Sequence, residues 1–437
     1  MDLTGTMEEK NNELFIGGIG VKTLKEKYGT PLQIIDQKAL KEKISCFKDN
    51  FQVDGLDCRV VYASKAFLNK YMVQLVKSLG LHIDAVSGGE LYTILASGMP
   101  AERIYFHGNN KLASEIREAL EAGVGTYVVD SIADYQHLSE VAAEAGQRIR
   151  LLLRVNPGIA AETHQYIQTT TEDSKFGMSM TDSRIEGLIQ DMLADPQVDL
   201  AGFHCHIGSQ VLKGNFFFEE AESVISFAKK MSENYGMKVQ ELNLGGGFGV
   251  YYAEGDQPFD YASFLSDYAK YIKTEAAKQG LSELQAISIE PGRSLINASG
   301  STLYTVGQVK VTKAGLPFIF VDGGMSDNIR PALYQAEYEA VLANRLKDPV
   351  QATYRVGGKL CESGDVLLKA AALPEAEAGD LLLMPNTGAY TYSMSSNYNR
   401  MGRPAVVFVE DGKDRLAVKR ETYADMMRND LSYEMDE

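Results

Sequence analysis

Between Val60 and Glu290, eight short apolar runs alternate with longer stretches whose apolar residues recur at helical spacing. The runs are Val60–Ala63, His82–Val86, Ile104–His107, Tyr127–Asp130, Ile149–Val155, Leu200–Ile207, Leu242–Leu244 and Ile287–Glu290. Short runs of this kind, bounded by turns, read as strands buried on both faces of a parallel sheet. The stretches between them include Lys70–Leu79, Lys111–Ala122, Ile132–Ala145, Phe216–Met231 and Tyr261–Lys278. They have the period of amphipathic crossover helices. Eight strands with seven intervening helices is the count of a (β/α)8 barrel, an α/β fold. A doubly wound open sheet has the same local rhythm and stays compatible with that count.

The rhythm ends near Pro291–Leu295. Beyond Gly292, helical periodicity becomes rare and short strand-like runs follow: Ser301–Thr312, Pro317–Val321, Thr353–Val356, Asp365–Ala370, Leu381–Met384 and Ala405–Val409. Gly, Asp and Pro punctuate them, as in a mostly antiparallel β domain. Before the first barrel strand, Val21–Tyr28 has helical spacing, Gly29-Thr30-Pro31 breaks it, and Leu32–Ile35 reads as a strand. The expected organisation is an N-terminal segment over 1–36 that packs with the C-terminal domain, a barrel over 37–291, and a β domain over 292–437.

A chain of 437 residues with 45% hydrophobic and 23% charged residues has the balance of a globular protein with a full core. Its net charge of -16 argues against nucleic acid and anionic membrane as partners, while leaving room for a local basic pocket. The four cysteines, Cys46, Cys58, Cys205 and Cys361, form no Cys-x-x-Cys pair, which fits a reducing compartment. The polar, acidic start lacks the pattern of a signal peptide, and no apolar run approaches transmembrane length. A soluble cytoplasmic protein is expected.

Polar residues gather at the carboxyl ends of the strand-like runs, the face where barrels place their chemistry. Lys65 follows Val60–Ala63; an amine held in a desolvated pocket there would lose its proton easily and form a Schiff base. Taken alone, such a lysine is more often a solvated surface residue. His204-Cys205-His206 ends the sixth run, with both histidines on one side and Cys205 on the other. The two imidazoles suit a metal pair, a ring or proton-transfer contact, or a buried structural histidine, and no neighbouring ligand motif favours the metal. Gly245-Gly246-Gly247 ends the seventh run, where bare backbone can approach a phosphate; the bland reading is a tight turn. Glu290-Pro291-Gly292-Arg293 ends the eighth, offering a carboxylate, bare backbone and a guanidinium together. In the β domain, Asp322–Tyr334 is Gly-rich and carries Arg330, Cys361-Glu362-Ser363-Gly364-Asp365 follows a Gly-Gly pair, and Gly388-Ala389-Tyr390 follows a buried-looking strand.

In this order the stretches resemble the pyridoxal-phosphate decarboxylases of the alanine-racemase-like fold, closest to the branch that acts on diaminopimelate. The resemblance runs from about Tyr28 to Tyr423. It also rests on Asp84-Ala85-Val86-Ser87-Gly88-Gly89-Glu90, His107-Gly108-Asn109-Asn110-Lys111 and Asp173-Ser174-Lys175-Phe176-Gly177. It implies a barrel followed by a β domain, pyridoxal 5'-phosphate as cofactor, no metal, and a head-to-tail homodimer with shared active sites. It further implies that Lys65 carries the cofactor as a Schiff base and that His206 packs on its ring. Ser209, Gly246, Gly247, Gly292 and Arg293 would hold the phosphate, and Glu290 the pyridine nitrogen. Arg293, Arg330 and Tyr334 would bind the distal carboxylate of the substrate, and Glu362 of the other subunit its distal amino group. Cys361, also from the other subunit, would be the proton donor, with Tyr390 touching cofactor and substrate. The implied reaction is decarboxylation of meso-diaminopimelate to L-lysine.

The sequence departs from the family in two places. A proline usual before Cys-Glu-Ser is absent from Gly357-Gly358-Lys359-Leu360, and His164-Gln165-Tyr166 differs from the family pattern. The polar segment from Ala160 to Gly177 is a lid candidate. Sister decarboxylases of ornithine, arginine, lysine or carboxynorspermidine tend to carry aspartate where Glu362 stands; a relative acting on another D-amino acid is also compatible with the pattern. An inactive binding homologue should have lost the Schiff-base lysine or the thiol donor, and Lys65, Glu290 and Cys361 are all present.

Overall fold

A computed structural model of the chain describes residues 3–159, 174–253, 255–258, 260–313 and 315–433. The expected lid stretch and His164-Gln165-Tyr166 fall largely or wholly outside these residues. The chain divides into two compact units, Lys43–Val250 with Asp256–Leu295, and Met1–Glu42 with Tyr251–Gly255 and Ile296–Glu437.

In the first unit, eight strands are Asp57–Tyr62, His82–Ala85, Ile104–Phe106, Thr126–Val129, Ile149–Asn156, Val198–His204, Glu241–Asn243 and Ala286–Ile289. Each pairs in parallel with the next, and the eighth pairs with the first. The ladder therefore closes into a barrel, and the open sheet is excluded. Seven crossover helices join the strands: Lys70–Ser78, Gly88–Ala96, Ala113–Ala122, Ile132–Ala145, Ile185–Ala194, Asn215–Tyr235 and Tyr261–Lys278. Several start where the sequence supplies a cap. Asn69, Ser87 and Ser131 each accept the backbone N–H three residues on, satisfying a donor that the first helical turn leaves free.

The barrel is filled by side chains from its own strands. Val61, Tyr105, Val128, Leu152 and Ala201 form one buried cluster. Nearer the amino ends of the strands lies Glu241, fully buried, accepting from Arg59 at 2.9 Å, Arg150 at 2.8 Å, Tyr105 at 2.6 Å and Ser288 at 2.9 Å. One carboxylate thus ties the first, third, fifth, seventh and eighth strands together at the barrel floor.

The second unit is a mixed sheet, mostly antiparallel. Gly300–Lys310 pairs antiparallel with Leu32–Asp36, Phe318–Val321 and Leu381–Met384. Two pairings are parallel: Leu32–Asp36 with Ala405–Glu410, and Phe318–Val321 with Ala352–Gly357. Leu32–Asp36 is buried along its whole length between its two neighbours. Leu14, Ile16, Val21 and Leu24 share one core with Leu303, Leu383, Val407 and Val409, which accounts for the apolar spacing of Val21–Tyr28. A second hairpin strand, Lys413–Val418, was not legible in the sequence, because its face is half polar and exposed. Among the described residues, no helix is long and apolar enough to cross a membrane.

Candidate active site

The sequence reading ran several barrel strands one to three residues too far. His107, Glu290 and the His206 stretch lie just beyond the last ladder pair, where their side chains are released from the β-sheet pattern. Lys65 is displaced in the same way: the first strand stops at Tyr62 and Ser64–Ala66 forms a short 3-10 turn. In the single chain Lys65 is exposed, between the buried Ser64 and Ala66 of that turn. Asp84, at the end of the second strand, accepts the N–H of Ser64 at 2.6 Å and so fixes the turn beside the lysine. Burial pushes the Asp84 carboxyl up to about 7, with His107 pulling the other way.

Glu290 is the most heavily partnered carboxylate at this end of the barrel. Its Oε1 accepts from Asn243 Nδ2 at 2.7 Å and stands 3.0 Å from His107 Nε2; its Oε2 stands 3.1 Å from His204 Nε2. Burial opposes its ionisation, yet the two imidazoles that face it and bond with it hold its carboxyl well below the usual range. Burial depresses His204 to about 4, against the pull of Glu290, so the ring is neutral and its Nε2–H is the donor. The result is an ionised carboxylate held by N–H donors in a dry site, an arrangement suited to a cationic partner. The sequence reading weighed a metal pair of His204 with His206. The ring facing His204 is instead His107, with ring centroids 4.9 Å apart, and one donor atom each from His107, His204 and Glu290 lies within 4.8 Å of the others.

His204 and Cys205 do point opposite ways. Cys205 Sγ donates to Glu220 of the helix Asn215–Tyr235 at 2.8 Å, and both residues are fully buried. His206 accepts the Gly246 N–H on Nδ1 at 3.2 Å, and burial, with Lys65 nearby, drives its pKa well below the usual imidazole value. It too is a neutral ring, protonated on Nε2.

The glycines beside it form a cradle that side chains would fill. A Cβ on Gly246 would lie 2.1 Å from the Glu290 carbonyl oxygen, and one on Gly247, at φ +107, 2.3 Å from that of Gly208. Gly292 lies against Ala63 and Ala66, with 2.8 Å and 3.1 Å left for a Cβ, so it abuts the lysine turn. Arg293 crosses to Ser209, donating to its hydroxyl at 3.0 and 3.3 Å. A group with a phosphate, a protonated ring nitrogen and an aldehyde fits these residues: bare backbone and Ser209 would donate to the phosphate, the Glu290 carboxylate would accept from the ring nitrogen, and the Lys65 amine would meet the aldehyde.

Two further motifs shape the mouth. Lys111 is buried and donates to Gly108 O, Val128 O and Asp134 Oδ2 at 2.7–2.8 Å, pinning the loop after His107. The described end of the Asp173–Gly177 motif is anchored by Gly177 N–H to Asp130 at 3.1 Å, with Arg154 over the Phe176 ring.

The other predicted residues belong to the second unit. Arg330 is buried, lies 4.6 Å over the Tyr252 ring, and donates Nη1 to Tyr338; its Nε has no hydrogen-bond partner among the described residues. Tyr334 is half-buried on the same short helix, Arg330–Tyr334. Cys361 and Glu362 are exposed. The loop that carries them is held by a carboxylate anchor. Asp365 accepts from Leu360 N at 2.9 Å and from Met325 N at 2.7 Å, and a Cβ on Gly358 would strike it at 2.3 Å. Tyr390 has a left-handed backbone, φ +60. Lys65, His206, Ser209, Gly246, Gly247, Glu290, Gly292 and Arg293 thus share the barrel unit; Arg330, Tyr334, Cys361, Glu362 and Tyr390 share the β unit. His107, Asn243 and Asp84 escaped the sequence reading as site residues. Their signal was present, since each ends a barrel strand on the Lys65 side.

The model of the pyridoxal-dependent decarboxylases, pyridoxal binding domain, matches residues 37–297. The chain is 46% identical to diaminopimelate decarboxylase of Bacillus subtilis over 99% of both chains, and 42% identical to that of Staphylococcus aureus over 96% of this chain and 98% of the other. Its fold matches the crystal structure of diaminopimelate decarboxylase from M. jannaschii in complex with L-lysine, with TM-score 0.91 and 33% identity over 98% of both chains. A shared fold and 46% identity over nearly the full length converge: the chain belongs to the pyridoxal-dependent decarboxylases, within the diaminopimelate decarboxylases.

Proposed function

We propose that this enzyme decarboxylates meso-diaminopimelate to L-lysine and carbon dioxide, with pyridoxal phosphate held in the barrel unit and the β unit supplying substrate and interface residues. The observation that carries the substrate assignment is Arg330, a buried guanidinium whose Nε has no hydrogen-bond partner among the described residues. Such a donor suits a distal carboxylate, which a simple diamine precursor lacks. Relatives at 37–46% identity are diaminopimelate decarboxylases, and the M. jannaschii structure holds L-lysine, the product of this reaction.

In this reading Lys65 carries the cofactor, Ser209 with the backbone of Gly246, Gly247, Gly292 and Arg293 holds its phosphate, and Glu290 pairs with its ring nitrogen. Bound there, pyridoxal phosphate supplies an electron sink for the pair left on carbon when the carboxylate leaves as carbon dioxide. Glu290 keeps the charge that stabilises a protonated ring nitrogen, and His107, His204 and Asn243 keep Glu290 ionised. His206, a neutral imidazole, would pack against the cofactor ring. Arg293, Arg330 and Tyr334 take the distal carboxylate and Glu362 the distal ammonium, so only one end of the substrate is presented for cleavage. The Cys361 thiol then gives its proton to the carbon that lost carbon dioxide, and Tyr390 borders both ligands. Cys361 and Glu362 act on the neighbouring copy in a head-to-tail homodimer, and the enzyme works in the cytoplasm.

The test is carbon dioxide release from the protein loaded with pyridoxal phosphate and offered meso-diaminopimelate, L-lysine, L-ornithine or L-arginine. Release from meso-diaminopimelate alone, with lysine formed, is the expected result. Release from a diamine precursor would overturn the role of Arg330 and Glu362 while leaving the cofactor site standing.

A further inference from the structure

One short turn, Ser396–Met401, ties together loops of the β unit that carry proposed site residues. The Ser396 N–H donates to Ser326 O at 2.8 Å, in the loop that leads to Arg330. Asn399 Oδ1 accepts the N–H of Cys361 at 2.7 Å. Asn399 and its neighbour Arg400 both have left-handed backbones, at φ +50 and +55, a region that asparagine tolerates better than most side chains. Two consecutive residues in that region need an outside hold. The C-terminal segment supplies it: Arg400 donates to Met426 O at 2.9 Å and Asp430 at 2.8 Å, while Glu421 accepts from Asn397 at 2.7 Å and from Arg403 N at 2.9 Å. Within its own chain Cys361 is exposed, so side-chain packing there does little to aim the thiol. Its direction is set by the backbone, held by Asp365 through Leu360 on one side and by Asn399 on the other.

We propose that Asn399 is a positioning residue for the Cys361 loop, aiming the thiol through the Cys361 amide from a left-handed turn clamped by the C-terminal segment. The inference rests on Cys361 as proton donor. In that step the carbon–carboxylate bond breaks, its electron pair stays on carbon, and the thiol proton goes to one face of that carbon. In deuterated water the face that receives deuterium therefore reports where the donor stands.

Asn399→Gly keeps the left-handed backbone and removes the acceptor; Asn399→Asp keeps the acceptor. Asn399→Gly should lower kcat about five-fold, the factor an ordinary hydrogen bond supplies, with KM unchanged. It should also spread deuterium over both faces of the product carbon and speed alkylation of Cys361 in the cofactor-free protein, read by peptide mass spectrometry. Asn399→Asp should move all three readouts back toward wild type. One-face labelling and wild-type alkylation in Asn399→Gly would overturn the proposal, as would equal defects in the two variants. Cys361→Ala with full turnover would instead overturn the donor reading; the alkylation rates would then still decide whether Asn399 fixes the loop.

Discussion

Glu290→Gln isolates the charge at the centre of the barrel mouth. The substitution preserves shape and removes one negative charge that three donors surround at 2.7, 3.0 and 3.1 Å. One carboxylate oxygen becomes an NH2 group, so at least one of those donors faces another donor; an unmet buried partner of this kind costs about 1–3 kcal/mol. On the proposed role of Glu290 the catalytic loss should be larger, because the charge that would favour a protonated ring nitrogen is gone. Removing a preorganised group aimed at developing charge typically lowers turnover by about 10²–10³-fold, or about 3–4 kcal/mol. The assay is steady-state carbon dioxide release at saturating cofactor, with cofactor content measured by absorbance. Binding should persist, since Lys65 and the glycine cradle are untouched. Turnover within about three-fold of wild type would refute the argument that the Glu290 charge drives the reaction.

Lys65→Ala should lose the visible absorbance of bound cofactor, and borohydride should then fix no cofactor on the chain; a surviving band would remove Lys65 from its role. Glu220 is fully buried and burial raises its carboxyl to about 8, so the folded protein holds a proton that the unfolded chain releases above its ordinary value of 4.5. Stability from this residue is full below that ordinary value and falls as pH rises toward 8; Glu220→Gln should flatten the denaturant midpoint across that window, gaining on the order of 5 kcal/mol at its alkaline end. An unchanged slope would show that Glu220 does not titrate in the window. Glu241→Ala should destabilise the barrel by about 3 kcal/mol, because two guanidiniums are left without their buried carboxylate. A urea midpoint close to wild type would show that the floor network adds no net stability.

The barrel was legible because its strands are apolar on both faces and its helices on one, so burial and sequence period report the same thing. Lys65, Glu290 and the glycine run were legible by position at strand ends. The His107–Glu290–His204 cluster was not, because its members come from the third, eighth and sixth strands and meet only when the ladder closes. The same holds for Asp365, whose sequence neighbours gave no hint that it would anchor both Leu360 and Met325. Hydrogen-bond partners far apart in sequence leave no periodic trace. The turn that carries Lys65 was also invisible, since a 3-10 turn of three residues is too short to carry a pattern.

Leu32–Asp36 sits in the interior of the β sheet, with Ile34 against Ser301 on one side and Val407 on the other. The whole barrel is therefore an insertion between one strand and both of its partners. During synthesis that strand emerges early and waits for the ribosome to deliver nearly the entire chain. The barrel needs only pairings within its own stretch and can close first, drawing the ends of the insertion together and shortening the loop that the late pairing must close. Truncation after Phe320 would remove Val407 and strand the first strand of the sheet without its parallel neighbour, while every barrel strand would still be present.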